Sequence, residues 1–324
     1  MKVYTDIHVH NVFSHCCSDH TFSTAAFLKK EQELGMRVVG LSNHLWDERV
    51  KPVYRWYKHQ TIAIAEEAKL ALSQAPAGMR VMFGAEADYA ACKDLLGMSE
   101  EGAEHFDYLL FAASHLQMKN FNMFDFPEIV EAREEIRRKL AEHFSYMPTE
   151  QINVMADALT EADIRNIFPE LEIDIITHTN QALVNNFKGL MDNEVFRRII
   201  RKKPVSVAHP FSGLAGGFSC KQKNMLLSRI PDETFEECFA KAASLGVNME
   251  LGLNSIRTCD ENLDTNQLIR AYLIAKKMGC KFTFATDSHK VQDLERIAFA
   301  EKVADKMQLT PADIAEFVRD GVEA

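Results

Sequence analysis

Short apolar runs rich in valine and isoleucine alternate along the chain with longer segments whose apolar residues recur at helical spacing. The short runs predict strands and the longer segments predict amphipathic helices. The predicted strands are 3–9, 37–43, 80–86, 107–114, 173–178, 204–208, 246–252 and 281–286. The predicted helices are 24–34, 57–74, 128–143, 188–202, 232–245, 264–278 and 292–307. Repeated strand–helix units with nearly continuous apolar strands are typical of an α/β protein with a parallel sheet.

The domain organisation follows from the spacing of these units. No Gly/Ser-rich linker or low-complexity stretch divides the chain, which favours a single domain over residues 1–324. The segment from about 116 to 172 has two helical patterns and no clear strand. We therefore predict that 116–172 is a helical insertion or cap that sets substrate size.

Composition and charge exclude several classes of protein. Apolar residues make up 47% of the 324 residues, enough for a sizeable core, and the formal net charge is −10. Such an acidic chain is not expected to bind nucleic acid, because phosphates need basic patches. No stretch approaches the roughly 20 apolar residues of a membrane span, and the N-terminus lacks the apolar core of a signal peptide. The seven cysteines form no CxxC pair, which is typical of reduced thiols in the cytoplasm.

Histidines and carboxylates stand at the ends of seven predicted strands. In chain order these residues are His8 and His10, His44, Glu86, His115, His178, His209, and Asp287 with His289. The C-terminal ends of strands in a parallel barrel all point to one mouth. Imidazole and carboxylate ligands suit zinc, iron or manganese. The sequence therefore predicts a metal centre, and it supplies more ligands than one tetrahedral ion needs.

Eight stretches resemble the polymerase and histidinol phosphatase (PHP) superfamily of metal-dependent phosphoesterases. They run in order over nearly the whole chain as DIHVH, SDHTFS, GLSNH, GAEAD, FDYLLFAASH, VAHP, MELGLNS and ATDSH. The resemblance implies a distorted (β/α)7 TIM-like barrel with a metal centre at the C-terminal strand ends. It also implies two to three divalent ions, which would be zinc, iron or manganese.

The same resemblance implies a set of metal ligands. They are His8, His10, Glu86 and Asp287 for a first ion, Glu86, His115 and His209 for a second, and Asp19, His44 and His289 for a third. Two positions have alternatives. His20 replaces the glycine of the family's usual SDG motif, and some relatives use histidine as the ligand there, so His20 is an alternative to Asp19. His178 and His209 both resemble the fifth ligand strand, and the His-Pro pair favours His209.

Other residues near the strand ends have weaker signals. Arg257 follows the strand that ends in LGLN, and a guanidinium there suits the binding of a substrate phosphate. His178 would line the pocket or contact substrate if it is not a ligand. Cys16 and Cys17 follow the first two histidines. Thiolates can bind zinc, but we interpret these two as ordinary loop thiols.

The expected reaction is hydrolysis of a small phosphomonoester, with L-histidinol phosphate as the first named candidate. A water bridging the ions would act as hydroxide, because a bound metal can lower the pKa of water from 15.7 to about 7. Glu86 and Asp287 would be the catalytic carboxylates that hold those ions.

Two other functions would use similar ligands. A metal-dependent amidohydrolase, which cleaves a C–N bond with at most two ions, also presents an HxH pair, two later histidines and a terminal aspartate. His8, His10, His178, His209 and Asp287 would imitate that set. A non-catalytic PHP module that binds metal or nucleotide would be expected to lack ligands. Each ligand position has a residue here, which favours the phosphoesterase.

Overall fold

The computed structural model of the chain describes residues 1–115, 127–172, 174–212 and 220–324. Its strands are β1 Lys2–Val3, β2 Thr5–Asp6, β3 Val38–Leu41, β4 His44–Leu45, β5 Arg80–Ala90, β6 Leu95–Leu96, β7 Tyr108–Ala112, β8 Val205–Val207, β9 Asn248–Gly252, β10 Phe282–Ala285 and β11 Val322–Glu323. Its α-helices are α1 Thr24–Glu33, α2 Ile62–Leu70, α3 Glu100–Ala103, α4 Pro127–His143, α5 Thr149–Asp157, α6 Glu161–Ile167, α7 Ile175–Asp192, α8 Glu194–Ile199, α9 Cys220–Ser228, α10 Asp232–Ser244, α11 Leu253–Cys259, α12 Gln267–Lys277 and α13 Ala300–Lys306. None of these described helices is both long and apolar enough to cross a bilayer.

Seven strands form one parallel sheet in the order β2-β3-β5-β7-β8-β9-β10. The two ends of this sheet meet, because the Ile7 N–H donates to the Phe284 carbonyl at 3.3 Å and Val9 forms a parallel bridge with Ser288. The sheet therefore closes into a nearly complete barrel surrounded by helices. The predicted distorted (β/α)7 TIM-like barrel is confirmed.

The barrel strands are buried on both faces, as their continuous apolar runs predict. Val39, Leu109 and Phe284 have no exposed surface. Tyr108 on β7 packs across the neighbouring strands, and its hydroxyl donates to the Ile7 carbonyl. A Cβ atom at Gly40 would lie 2.1 Å from that hydroxyl oxygen, so glycine leaves the room that Tyr108 needs.

The predicted strand 173–178 is wrong, because residues from Ile175 onward belong to helix α7. Asp174 caps this helix: its carboxylate accepts from the Thr177 N–H at 3.1 Å and from the Thr177 hydroxyl at 2.7 Å. A short apolar run is compatible with a strand or a helix, and here an N-cap aspartate followed by apolar residues at helical spacing favours a helix. Residue 173 lies outside the described residues.

The chain divides into two compact units. The first is Met1–Asn122 with Leu183–Ala324 and contains the barrel, and the second is Met123–Ala182. The helical core of the second unit consists of Ile129, Ala132, Ile136, Ala156 and Ile164. Residues 116–126 of the predicted insertion lie outside the described residues. A capping role for the segment 116–172 stays a prediction.

Candidate metal centre

Most of the predicted ligands converge at the C-terminal ends of the barrel strands. His8 and His10 follow β2, His44 begins β4, and Glu86 lies within β5. His115 follows β7, His209 follows β8, and Asp287 and His289 follow β10. Two groups have ligand atoms that all lie within 4.8 Å of one another. They are His8, His10 and Asp287, and Glu86, His115 and His209.

Glu86 lies at the middle of the cluster and is 1% exposed. Its Oε2 atom is 3.0 Å from Nδ1 of His44, 3.2 Å from Nε2 of His8 and 3.4 Å from Nε2 of His10. Its Oε1 atom is 3.0 Å from Nε2 of His209. One carboxylate therefore lies against four imidazole nitrogens.

The spacing of these atoms fits metal coordination. Ligand atoms at the corners of a tetrahedron with bonds of about 2.0–2.1 Å lie about 3.4 Å apart. Nε2 of His10 is 3.0 Å from Nε2 of His8 and 3.3 Å from Oδ1 of Asp287. Oε2 of Glu86 and Nδ1 of His44 are buried and make no hydrogen bond. Buried donor atoms gathered in this way could hold a metal ion.

Both central carboxylates are held in the ionised form. Burial alone would raise the pKa of Glu86, but His44 and His8 bring it well below its ordinary value. Burial would likewise raise the pKa of Asp287, and a hydrogen bond with His10 together with the charge of His8 brings it well below the ordinary value. Ionised carboxylates are the form that binds metal.

The imidazoles fall into two classes. Burial lowers the pKa of His44, and burial together with the charge of His10 lowers the pKa of His289 to about 4, so both environments favour the neutral ring. Burial also opposes the charged form of His8, but Glu250 and Glu86 outweigh it and raise the pKa of His8 well above the ordinary value. The centre of the cluster therefore attracts positive charge.

Two acidic residues that the sequence reasoning missed hold the histidines in place. Glu250 on β9 lies 2.7 Å from Nδ1 of His8 and accepts the His209 N–H at 3.0 Å. Asp88 on β5 lies 2.6 Å from Nδ1 of His115. Carboxylates in such outer positions orient metal-binding imidazoles and raise their basicity. The available signal was period-two spacing, since Asp88 follows Glu86 by two residues on one strand.

The backbone is strained at two of the candidate ligands. His209 has φ of 29° and Asp287 has φ of 50°, a region that residues other than glycine rarely occupy. Such strain costs on the order of 1 kcal/mol per residue and tends to cluster at functional sites. The Asp287 N–H donates to the His8 carbonyl at 2.9 Å, which helps to fix this conformation.

A third group, with ligand atoms also within 4.8 Å of one another, consists of His10, Cys16, His44 and His289. The structure does not bring Asp19 into this group. Its carboxylate instead accepts from the Thr21 N–H at 2.9 Å and from the Thr21 hydroxyl at 2.6 Å, which forms a local turn. The alternative ligand His20 is exposed and lies in none of the three groups.

Neither of the two predicted substrate-binding residues belongs to the three groups of candidate ligands. His178 is in the second unit, on helix α7, with Nε2 3.1 Å from Glu128. It does not end a strand, whereas His209 does. Arg257 lies in the last turn of α11 and lines a cavity of about 950 Å³ together with Asn224 and Asp260. A role in binding substrate stays a prediction for both residues.

Comparisons with known proteins bear on the fold. A scan against protein-family models and a search of curated proteins find no match. Among solved structures, the chain is similar to a histidinol phosphate phosphatase from Lactococcus lactis subsp. lactis in complex with zinc, L-histidinol and phosphate. The sequence identity is 11% and the TM-score is 0.50, and the likeness covers 95% of each chain. This likeness shows that the two proteins share a fold.

Proposed function

We propose that the protein is a metal-dependent phosphoesterase of the PHP type that hydrolyses a small phosphomonoester. The observation that carries this proposal is the environment of the buried Glu86 carboxylate. Its Oε2 atom lies 3.0–3.4 Å from one imidazole nitrogen of each of His44, His8 and His10, and this oxygen makes no hydrogen bond. Divalent cations would bind this oxygen and these nitrogens where protons would otherwise be shared between them.

His8, His10 and Asp287 would hold one ion, and Glu86, His115 and His209 would hold a second. When bound, the ions would act as Lewis acids toward phosphoryl oxygens and lower the pKa of a bound water. Glu86 and Asp287 would hold the two ions close together. Two dications would place positive charge within reach of a substrate phosphate in a chain whose net charge is −10, whereas Glu250 and Asp88 contact the outer ring nitrogens of His8 and His115. The ions themselves would therefore bind the phosphate dianion.

The protein's own residues would keep the site in shape before substrate arrives. Glu250 fixes both the ring of His8 and the backbone of His209, and Ser114 lies 2.9 Å from Nδ1 of His209. A site whose ligands are already oriented loses little free energy to reorganisation during the reaction. This pre-arrangement favours a catalytic role over a purely structural one.

The first substrate to test is L-histidinol phosphate. The stretch FDYLLFAASH supports this choice through its similarity to the histidinol phosphatase branch. The fold neighbour also supports it, since that protein was crystallised with L-histidinol and phosphate.

Metal analysis and a phosphatase assay test the proposal together. We expect the purified protein to carry at least about two equivalents of divalent metal per chain. It should hydrolyse p-nitrophenyl phosphate, lose this activity to a chelator, and favour one member of a panel led by L-histidinol phosphate. The Glu86→Gln variant should lose more than about a hundredfold in activity, because a ligand shared by the cluster is gone. Glu67→Gln, at an exposed position on α2, serves as the matched control.

Two outcomes would contradict the proposal. A protein that binds no metal even after reconstitution would show that these side chains are not ligands. A metal-loaded protein that cleaves amide bonds but no phosphoester would instead support the amidohydrolase interpretation.

A further inference from the structure

A third group of possible ligands consists of His10, Cys16, His44 and His289. It shares His10 with the first of the two sites used above, and its other three residues belong to neither site. Nε2 of His10 is engaged there, at 3.3 Å from Oδ1 of Asp287. That leaves one sulfur and two imidazoles, those of Cys16, His44 and His289, without a function in the two-ion site.

We propose that Cys16, His44 and His289 bind a third divalent ion, and that this ion is zinc held in part by the Cys16 thiolate. The inference rests on the metal centre of the proposed function and deepens it. It differs from the ligand set that the sequence resemblance implies, in which Asp19 completes the third site.

The loop after β2 holds the Cys16 sulfur near His44. Ser14, which is 2% exposed, connects the two residues: its Oγ lies 3.3 Å from the Cys16 sulfur and accepts the His44 N–H at 3.2 Å. The neighbouring Cys17 has different surroundings, since its thiol donates to the carbonyls of His289 at 3.1 Å and Asp19 at 3.5 Å. Only one of the two adjacent thiols is therefore available to the group.

The two imidazoles also favour a bound ion. His44 is 7% exposed, and its buried Nδ1 lies 3.0 Å from Oε2 of Glu86 without the geometry of a hydrogen bond. The ring of His10 stacks between the other two imidazoles, with centroids 4.5 Å from His44 and 4.6 Å from His289. A buried nitrogen that lies beside a carboxylate without making a hydrogen bond is available to a metal ion.

The donor set selects the metal. One thiolate and two imidazoles occupy three corners of a tetrahedron and leave the fourth open for water or a phosphate oxygen, as in catalytic zinc sites. A soft sulfur ligand favours zinc over manganese or magnesium, which prefer oxygen ligands. The third ion would therefore carry an open coordination position on the same side of the barrel as the other two ions.

X-ray absorption at the zinc edge tests the sulfur ligand in the unaltered protein. Zinc-loaded protein should show a sulfur shell at about 2.3 Å beside nitrogen and oxygen at about 2.0–2.2 Å. Metal analysis should give about three zinc ions per chain. A spectrum with no sulfur shell, or a protein that binds no third zinc, would overturn the inference without any variant being made.

Three variants then assign the sulfur and the competing ligand. Cys16→Ser should lose the sulfur shell and about one equivalent of zinc, while Cys17→Ser and Asp19→Asn should keep both. A third zinc lost from Asp19→Asn but kept by Cys16→Ser would restore the aspartate as ligand. The phosphatase assay separates the two claims. A sulfur shell without phosphatase activity would contradict the proposed function alone, and activity without a sulfur shell would contradict this inference alone.

Discussion

Oδ1 of Asp88 lies 2.6 Å from Nδ1 of His115, and this contact directs the other ring nitrogen of His115 toward Glu86. Nε2 of His115 is 3.8 Å from Oε1 of Glu86. The imidazole of His115 therefore lies between the carboxylate of Asp88 on one side and that of Glu86 on the other. This arrangement orients metal-binding histidines in many proteins.

Replacing Asp88 should weaken metal binding without removing a ligand. We expect Asp88→Asn to reduce zinc affinity by about 10–100-fold, because a neutral amide holds the ring of His115 more weakly and no longer raises its basicity. Titration against a chelator of known affinity measures this change. Asp264→Asn, at an exposed residue that pairs with Lys306, is the matched control. Equal affinity in the two variants would show that Asp88 does not position His115.

Metal affinity should rise with pH well above neutrality. Burial favours the neutral ring of His115, but Asp88 and Glu86 outweigh it and raise its pKa to about 9. Zinc must displace that proton, so its affinity should increase by at least about tenfold per pH unit between about pH 7 and 9. Chelator-buffered zinc titrations over this range measure the slope. A constant affinity would mean that His115 holds no proton that zinc must displace over this range.

The two candidate histidines of the fifth ligand strand can be separated by paired variants. His209→Ala should lose metal and more than about a hundredfold in phosphatase activity, since Nε2 of His209 lies 3.0 Å from Glu86. His178→Ala should keep its full metal content, because that residue lies on helix α7 beside Glu128. Metal analysis and the phosphatase assay on both proteins provide the measurement. The reverse pattern would reassign the ligand to His178.

A buried carboxyl away from the predicted ligands should reduce stability at neutral pH. Neither carboxyl oxygen of Glu31 has a hydrogen-bond partner among the described residues. Burial, reinforced by the charge of Asp6, raises the pKa of Glu31 well above the ordinary value. The fold therefore favours protonated Glu31. Its contribution to stability is complete below the unfolded pKa of about 4.3 and is lost as the pH rises.

We therefore expect Glu31→Gln to raise the free energy of unfolding of the metal-free protein. The gain should be about 1–3 kcal/mol at pH 8 and close to zero near pH 4, because glutamine resembles the protonated acid. Denaturant unfolding at the two pH values measures it. Glu33→Gln, exposed on the same helix, should change little. A loss of stability at pH 8 would mean that the folded protein uses the charge of Glu31.

The sequence predicted much of the fold because its strands are continuous apolar runs. Seven of the eight predicted strands coincide with barrel strands, and the exception is the run before His178. The prediction of a strand there is wrong because a short apolar stretch has no periodicity that distinguishes a strand from a helix. The N-cap contact between Asp174 and Thr177 decided for a helix.

The sequence by itself determined that His8, His10, Glu86 and Asp287 converge. Residues at the C-terminal ends of parallel strands share one mouth whatever their separation along the chain. Only the tertiary structure decided which side chains support them. Glu250 reaches His8 across 242 positions of sequence, and no local pattern encodes such a pair. That Cys16, and not Asp19, lies in one group with His44 and His289 likewise depends on a loop conformation, since two short side chains three residues apart can each turn inward or outward.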